Sequence, residues 1–354
     1  MKINFIVPEI SRTGGMRVIF EYANRLKSRG HDVILYSPII PFNNYRGMIK
    51  RYYIRYRINS AKAFILDGRK IPENIYKKKF DIKFLWVFNN FTVRNADVSV
   101  ATSWPTSYIV HKLNSSKGKK LYLIQDYEKW NSNIKYVDKS YTLPLQRITV
   151  SNYLRNFLNE KFGVDSEVIL NGIDFTVFNN PSKQFSEPIK ILFTDHILEN
   201  KNSIAAIETI VKLKNKYPDL KIRGFGMAKY HQMPEYVEFF ENPDENIIVR
   251  LYNGSDIFLY TSIYEGFGLT PAEAMACKCA VLGNKVAALP EYSEDMKSAI
   301  LTSPDNKEEL FNGAEYLINH NDELKRISLS GYENVRKKLD WELSVNKFEK
   351  IIAS

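Results

Sequence analysis

Short apolar runs alternate with amphipathic stretches along this chain, and that alternation restricts its fold more than any other feature. Lys2–Val7 reads as a strand and Met16–Ser28 as a helix, with Val18, Ile19, Tyr22, Ala23 and Leu26 at helical spacing. Gly30 stands where a left-handed residue ends a helix, and His31–Tyr36 reads as the next strand. Two strands joined by one short crossover helix lie parallel, with helices on the faces of the sheet. Asp97–Thr102, a helix from near Pro105, Lys120–Gln125, Arg147–Val150, the helix Ser151–Phe162 and Glu167–Leu170 continue the pattern. Residues 41–95 and 126–146 interrupt it, and the second of these reads as loop. A new series then predicts strands at Ile189–Thr194, Leu220–Gly224, Asn246–Arg250, Asp256–Thr261, Ala280–Gly283 and Ala299–Thr302. Its helices are Ser203–Tyr217 and Pro271–Lys278, followed by Lys307–Asn319, Asp322–Lys338 and Trp341–Ile351. With 354 residues the chain is long enough for two domains. The expected limits are 1–172 for a first Rossmann-like domain, 173–188 for a linker, 189–338 for a second and 339–354 for a closing helix.

Composition excludes several classes. Charged residues make up 25% and apolar residues 44%, a globular balance, and no apolar run reaches the ~18 residues of a membrane span. Met1–Pro8 reads as a strand and not as a leader, which predicts a cytoplasmic protein. The two cysteines, Cys277 and Cys279, have neither zinc-ligand nor redox spacing, and the five histidines are scattered, so no dedicated metal site is expected. Charge is divided unevenly. Residues 1–180 carry 29 Lys and Arg against 14 Asp and Glu, a balance of +15, while the remainder balances at −5. The first half therefore suits an anionic partner: nucleic acid, a phospholipid surface or a phosphorylated substrate.

In parallel sheets ligands bind beyond the carboxyl ends of the strands, so the strand-to-helix turns are the places for chemistry. Neither a dinucleotide-binding Gly-x-Gly-x-x-Gly nor a Walker A motif is present. Gly14-Gly15 precedes the first helix, where it serves equally as a structural turn or as a phosphate contact. The turn after Asp256–Thr261 is richer. Glu265-Gly266-Phe267-Gly268-Leu269-Thr270 runs into a helix opened by Pro271 and carrying Glu273. Taken singly, Glu265 is a surface acid and Glu273 a helix-start acid. Together with the glycines and the proline they frame a loop whose amides can meet phosphates or sugar hydroxyls.

Glu265-Gly-Phe-Gly-Leu-Thr-Pro-Ala-Glu273 resembles the Glu-x7-Glu signature of the family 4 retaining glycosyltransferases. Gly14-Gly15 with Leu26–His31, Asn171-Gly-Ile-Asp174, Gly224-Phe-Gly226 and the segment from Asp340-Trp341 are similar to other family segments, in the same order. The resemblance implies the GT-B fold: two Rossmann-like parallel α/β domains facing across a cleft, with a C-terminal helix packing back on the first. It implies transfer of a sugar from a nucleotide-diphosphate donor to an acceptor hydroxyl with retained configuration, in surface polysaccharide or glycolipid synthesis. No cofactor and no tightly bound metal are implied beyond the nucleotide sugar as co-substrate. The expected catalytic set is Glu265 at the donor sugar, Lys201 at the diphosphate and Asp126 at the acceptor hydroxyl. Donor contacts are expected from Gly14, Gly15, His196, Lys201, Gly266, Phe267, Gly268, Leu269, Thr270 and Glu273, the last at the ribose. The chain departs from the family where an arginine is usual, at His196, and where a glycine is usual, at Asp195. An imidazole does not replace a bidentate guanidinium. From the residues alone, His196 divides between pocket and filler, Lys201 between diphosphate and solvated surface, and Asp126 between acceptor and local turn cap.

Tyr45–Arg57 interleaves tyrosines with Arg46, Lys50, Arg51, Arg55 and Arg57 and holds no acid. Lys50, Arg51, Arg55 and Arg57 are assigned to an anionic membrane or acceptor surface on the inner membrane face; a solvated basic face and base stacking are the other readings. A GT-B epimerase or hydrolase of nucleotide sugars, or a non-catalytic basic binding protein, is the alternative to a transferase.

Overall fold

The computed structural model describes residues 1–42, 78–128, 133–185 and 187–354. Lys50, Arg51, Arg55 and Arg57 lie outside them. The chain divides into two compact units: 1–169 with 345–354, and 170–344.

Among the described residues, the first unit is built on β1 (Lys2–Ile6), α1 (Gly14–Ser28), β2 (Asp32–Pro38), β3 (Asp81–Leu85), β4 (Val98–Ala101) and α2 (Trp104–Lys112). It continues with β5 (Lys119–Ile124), α3 (Ile134–Tyr141), β6 (Gln146–Thr149), α4 (Asn152–Phe162) and β7 (Glu167–Val168). All pairings are parallel, in the order β3-β2-β1-β4-β5-β6-β7, so the order reverses between β1 and β4. Phe5, Val33, Val100, Leu121 and Ile148 are fully buried, as short apolar strands covered on both faces should be. Gly30, at φ +89°, ends the α1 turn in the left-handed region, as the sequence predicts. Residues 345–354 fill this unit. Phe348 packs on Phe5 and Tyr22 at ring separations of 6.2 and 5.0 Å, and Glu349 pairs with Arg29 and with His31 Nε2, the latter at 2.8 Å.

The second unit contains β8 (Lys190–Thr194), α5 (Ser203–Lys216), β9 (Lys221–Gly226), β10 (Val237–Glu241), α6 (Glu245–Asn253), β11 (Ile257–Tyr260) and α7 (Leu269–Ala276). Then come β12 (Ala280–Asn284), α8 (Leu289–Tyr292), β13 (Ile300–Thr302), α9 (Lys307–Asn319) and α10 (Asn321–Lys338); α11 (Trp341–Ala353) begins here. The parallel order is β10-β9-β8-β11-β12-β13, reversing between β8 and β11. Ile191, Phe193, Ile210, Leu213, Ile257, Leu259 and Leu282 form its core with residues of α9 and α10.

Four sequence expectations are corrected. Asn246–Arg250 is helical, because Asp244 accepts a hydrogen bond from the Ile247 amide at 2.8 Å and caps α6, outweighing three β-branched residues. Val237–Glu241 is the strand instead; as a sheet edge it carries Glu238, paired with Arg223, and its short charged run is a weak strand signal. Asp81–Leu85 is also a strand, and residues 134–141, expected as loop, form α3 behind an Asn133 cap.

Candidate functional site

The crevice at which strand order reverses lies at the carboxyl ends of β8 and β11, and the loops after these two strands supply the candidate site of the second unit. After β8 the chain makes a single 3₁₀ turn, Glu199–Lys201. Three hydrogen bonds dock that turn on the loop after β11: Ile263 N to Asn200 O at 2.8 Å, Asn200 Nδ2 to Tyr264 O at 2.7 Å, and Thr261 Oγ1 to Lys201 O at 3.1 Å. The fully buried Asn284 amide donates to the Thr261 and Ser262 carbonyls from β12 and accepts from Thr302. Both loops are thus fixed by tertiary hydrogen bonds, and the functional side chains inherit that rigidity.

Lys201 Nζ forms an ion pair with Glu265 Oε1. Tyr260, at the last position of β11, donates its hydroxyl to Glu265 Oε2 at 2.7 Å. Burial works to raise the Glu265 pKa, but the Lys201 charge and the hydrogen bonds from Lys201, Tyr260 and Ser262 outweigh it, holding the carboxyl below its ordinary value. Burial and the Glu265 charge push the Tyr260 phenol well above its ordinary range, so it stays a donor. His196 accepts a hydrogen bond from Leu198 N at Nδ1, 3.0 Å, which leaves its proton at Nε2. Burial first, then the Lys201 charge, lowers its pKa and keeps the ring neutral.

Asp195 is 1% exposed and accepts from Tyr230 N at 2.7 Å, His231 N at 3.2 Å and His231 Nδ1 at 2.6 Å. The acid that stands where a glycine is usual ties the loop after β9 to the end of β8.

Gly268 caps α7 with φ +83°, and a Cβ there would stand 3.0 Å from the Tyr260 hydroxyl. The helix begins at Leu269, so Pro271 is its third residue and not its first as expected; the early amides belong to Leu269 and Thr270. Gly266 and Phe267 are buried, with the Phe267 ring 6.0 Å from Tyr292, whose hydroxyl donates to Gly268 O at 3.2 Å. Glu273 is 3% exposed and accepts from the Tyr252 hydroxyl at 3.4 Å. Among the described residues no set of three His, Cys, Asp or Glu side chains converges as metal ligands, and no helix is long and apolar enough to cross a membrane.

In the first unit Gly14 and Gly15 are the opening residues of α1, behind a Thr13 cap that accepts from Met16 N at 3.3 Å. Gln125 Nε2 donates to Gly15 O at 3.2 Å, so the end of β5 lies against this helix start. Asp126 accepts from Tyr127 N at 2.8 Å, and the Tyr141 hydroxyl donates to its carbonyl at 3.2 Å. The expected residues therefore gather as two groups, Lys201, His196 and Glu265–Glu273 in one unit, Gly14, Gly15 and Asp126 in the other. Sequence reasoning missed Asn284 and Asn200, whose partners lie far along the chain, and Tyr260, whose partner Glu265 is five residues on but whose place at the end of an apolar strand reads as core.

Residues 12–177 match the profile described as Glycosyltransferase Family 4, and residues 174–334 that described as Glycosyl transferases group 1. An uncharacterised glycosyltransferase of Methanocaldococcus jannaschii is 22% identical over 98% of this chain and 96% of its own length. The serotype-specific mannosyltransferase WbdA of Escherichia coli is 48% identical over 44 residues, 12% of this chain and 5% of that protein. Among solved structures, HepE of Anabaena in complex with UDP superposes with a TM-score of 0.75 over all of both chains at 16% identity, a likeness of fold.

Proposed function

We propose, for a chain that belongs to the GT-B-fold glycosyltransferases, a retaining transfer of a sugar from a nucleoside-diphosphate donor to an acceptor hydroxyl, with no resident metal in the reaction. The observation that carries this reading is the meeting of Lys201, Glu265 and the start of α7 at the switch point between β8 and β11. Negative charge grows on the departing diphosphate, and the Lys201 ammonium with the Leu269 and Thr270 amides can stabilise it. His196 offers one N–H and no charge, so Lys201 takes the larger share. Glu265 accepts from donor-sugar hydroxyls and Glu273 from the ribose. In a same-face transfer the leaving diphosphate helps to remove the acceptor proton, and Asp126 orients the acceptor hydroxyl. The UDP complex of HepE supports a nucleoside diphosphate donor, and a likeness of 45% over 53 residues to the O-antigen chain mannosyltransferase B of Escherichia coli supports a polysaccharide-building role.

Incubation with UDP- and GDP-sugars, with and without a sugar or lipid-linked acceptor, tests this, with the product anomer read by NMR. Acceptor-dependent release of the nucleoside diphosphate with retained configuration is expected. An inverted product overturns the retaining mechanism, and release that ignores the acceptor makes the protein a hydrolase or epimerase.

The acceptor is further assigned to an anionic membrane surface met by Lys50, Arg51, Arg55 and Arg57, each cation contributing ~1 kcal/mol to docking. Salt-sensitive sedimentation with anionic but not neutral vesicles, lost when these four become Ser, is the expected result.

A further inference from the structure

Tyr260 is 3% exposed, ends β11, and points its hydroxyl into the turn that carries the donor loop. That hydroxyl donates to Glu265 Oε2 at 2.7 Å, while Lys201 holds Oε1. The same oxygen lies where Gly268 passes, so close that a Cβ at 268 would come within 3.0 Å of it. Its burial is shared with Tyr292, which bonds the Gly268 carbonyl at 3.2 Å. The phenol is thus a fixed point between the acid of the loop and the cap of α7.

We propose that Tyr260 is a positioning residue for Glu265, holding one carboxylate oxygen so that the other stays aimed at the donor sugar whenever an anion draws Lys201 away. This rests on the reading that Glu265 meets the donor sugar. With Lys201 drawn away, Tyr260 and Ser262 are the donors that remain on Glu265; a carboxylate that loses the phenol as well swings about its side-chain torsions, and a flexible acid forfeits the pre-organisation that sugar hydroxyl recognition needs. Lys201 cannot supply that orientation alone, because the diphosphate competes for its charge. The phenol has no such competitor: it is neutral and buried, and besides Glu265 it meets the Ser262 side chain and the Gly268 backbone, neither of which carries charge.

The test compares Tyr260→Phe with Glu265→Gln in the full chain. The probes are UDP and GDP, and then whichever of the UDP- and GDP-sugars supports turnover. For Tyr260→Phe, kcat/KM should fall about tenfold, as for loss of one hydrogen bond to a charged group. Affinity for the bare nucleoside diphosphate should stay within about twofold, because in this role the phenol hydroxyl acts through Glu265 and makes no contact with the phosphates. Removing the hydrogen bond also raises the Glu265 pKa, so the acid limb of kcat/KM should move to higher pH. A merely structural tyrosine would weaken both ligands alike and leave the limb in place.

Should Tyr260→Phe fail to fold, 3-fluorotyrosine placed at position 260 keeps the ring and makes the phenol a stronger donor; the limb should then move to lower pH. Wild-type kcat/KM with an unmoved limb in the folded Phe variant, or an unmoved limb in the fluorinated protein, overturns the positioning role while an inactive Glu265→Gln leaves the site reading standing. An active Glu265→Gln overturns both.

Discussion

Lys201 and Glu273 are both functional candidates, yet their surroundings predict different kinetic signatures. Lys201 side-chain atoms are 24% exposed and face an ionised partner, so its charge is available to a leaving diphosphate. Lys201→Ala should lower kcat roughly 100-fold or more, the scale for losing one group that acts on developing charge, with a smaller change in donor affinity. Glu273 is buried beside Tyr252 and, as a ribose acceptor, binds ground state and transition state alike. Glu273→Ala should therefore weaken donor binding by ~1–3 kcal/mol with kcat nearly kept. Calorimetry with the nucleoside diphosphate and steady-state kinetics separate the two. At this scale the sequence revealed the acids and the lysine, because a loop after a strand announces them by residue type and spacing. It was silent on Tyr260, since an aromatic at the end of an apolar strand is indistinguishable from core until the partner oxygen is seen. His196 stayed ambiguous for a similar reason: only the Leu198 amide decides its tautomer.

Elements were legible where local pattern and tertiary context agree. The βα units from β1 to β2 and from β8 to β9 were readable from periodicity, helped in the first by the Gly30 stop. The segment Asn246-Ile-Ile-Val-Arg250 was not, because β-branched residues favour a strand while the Asp244 cap and the half-buried face of α6 favour a helix. The start of α7 shows the same tension. Pro271 advertises a first helical position, but the left-handed Gly268 lets the helix begin two residues earlier. Gly268→Ala should lower stability by about 1–2 kcal/mol from backbone strain alone, with the Cβ crowding Tyr260 adding to it. Chemical denaturation measures it. A loss well below 1 kcal/mol would mean the turn relaxes without the left-handed cap.

For the whole molecule, charge and chain order carry information that no single element does. The basic half of the sequence coincides with the first unit, while Lys201, Glu265 and Glu273 belong to the second. Residues 345–354 return to the first unit, and their removal should act there: hydrogen exchange should quicken in β1 and α1, which pack on Phe348, and stay slow through β8–β13. Equal loosening of both units would contradict the division. Since the second unit is one continuous segment whose ends meet, Ser344 Oγ donating to Leu170 O at 2.6 Å, it has everything it needs once Ser344 has left the ribosome. The first unit does not. Synthesised earlier, it lacks the buried Phe348 ring and the Val345, Ile351 and Ile352 side chains until the whole second unit has been made. The half of the chain that is made first is thus the half completed last, and a nascent chain stalled short of Val345 would expose the hydrophobic face of α1 to chaperones while already carrying a finished donor-side domain.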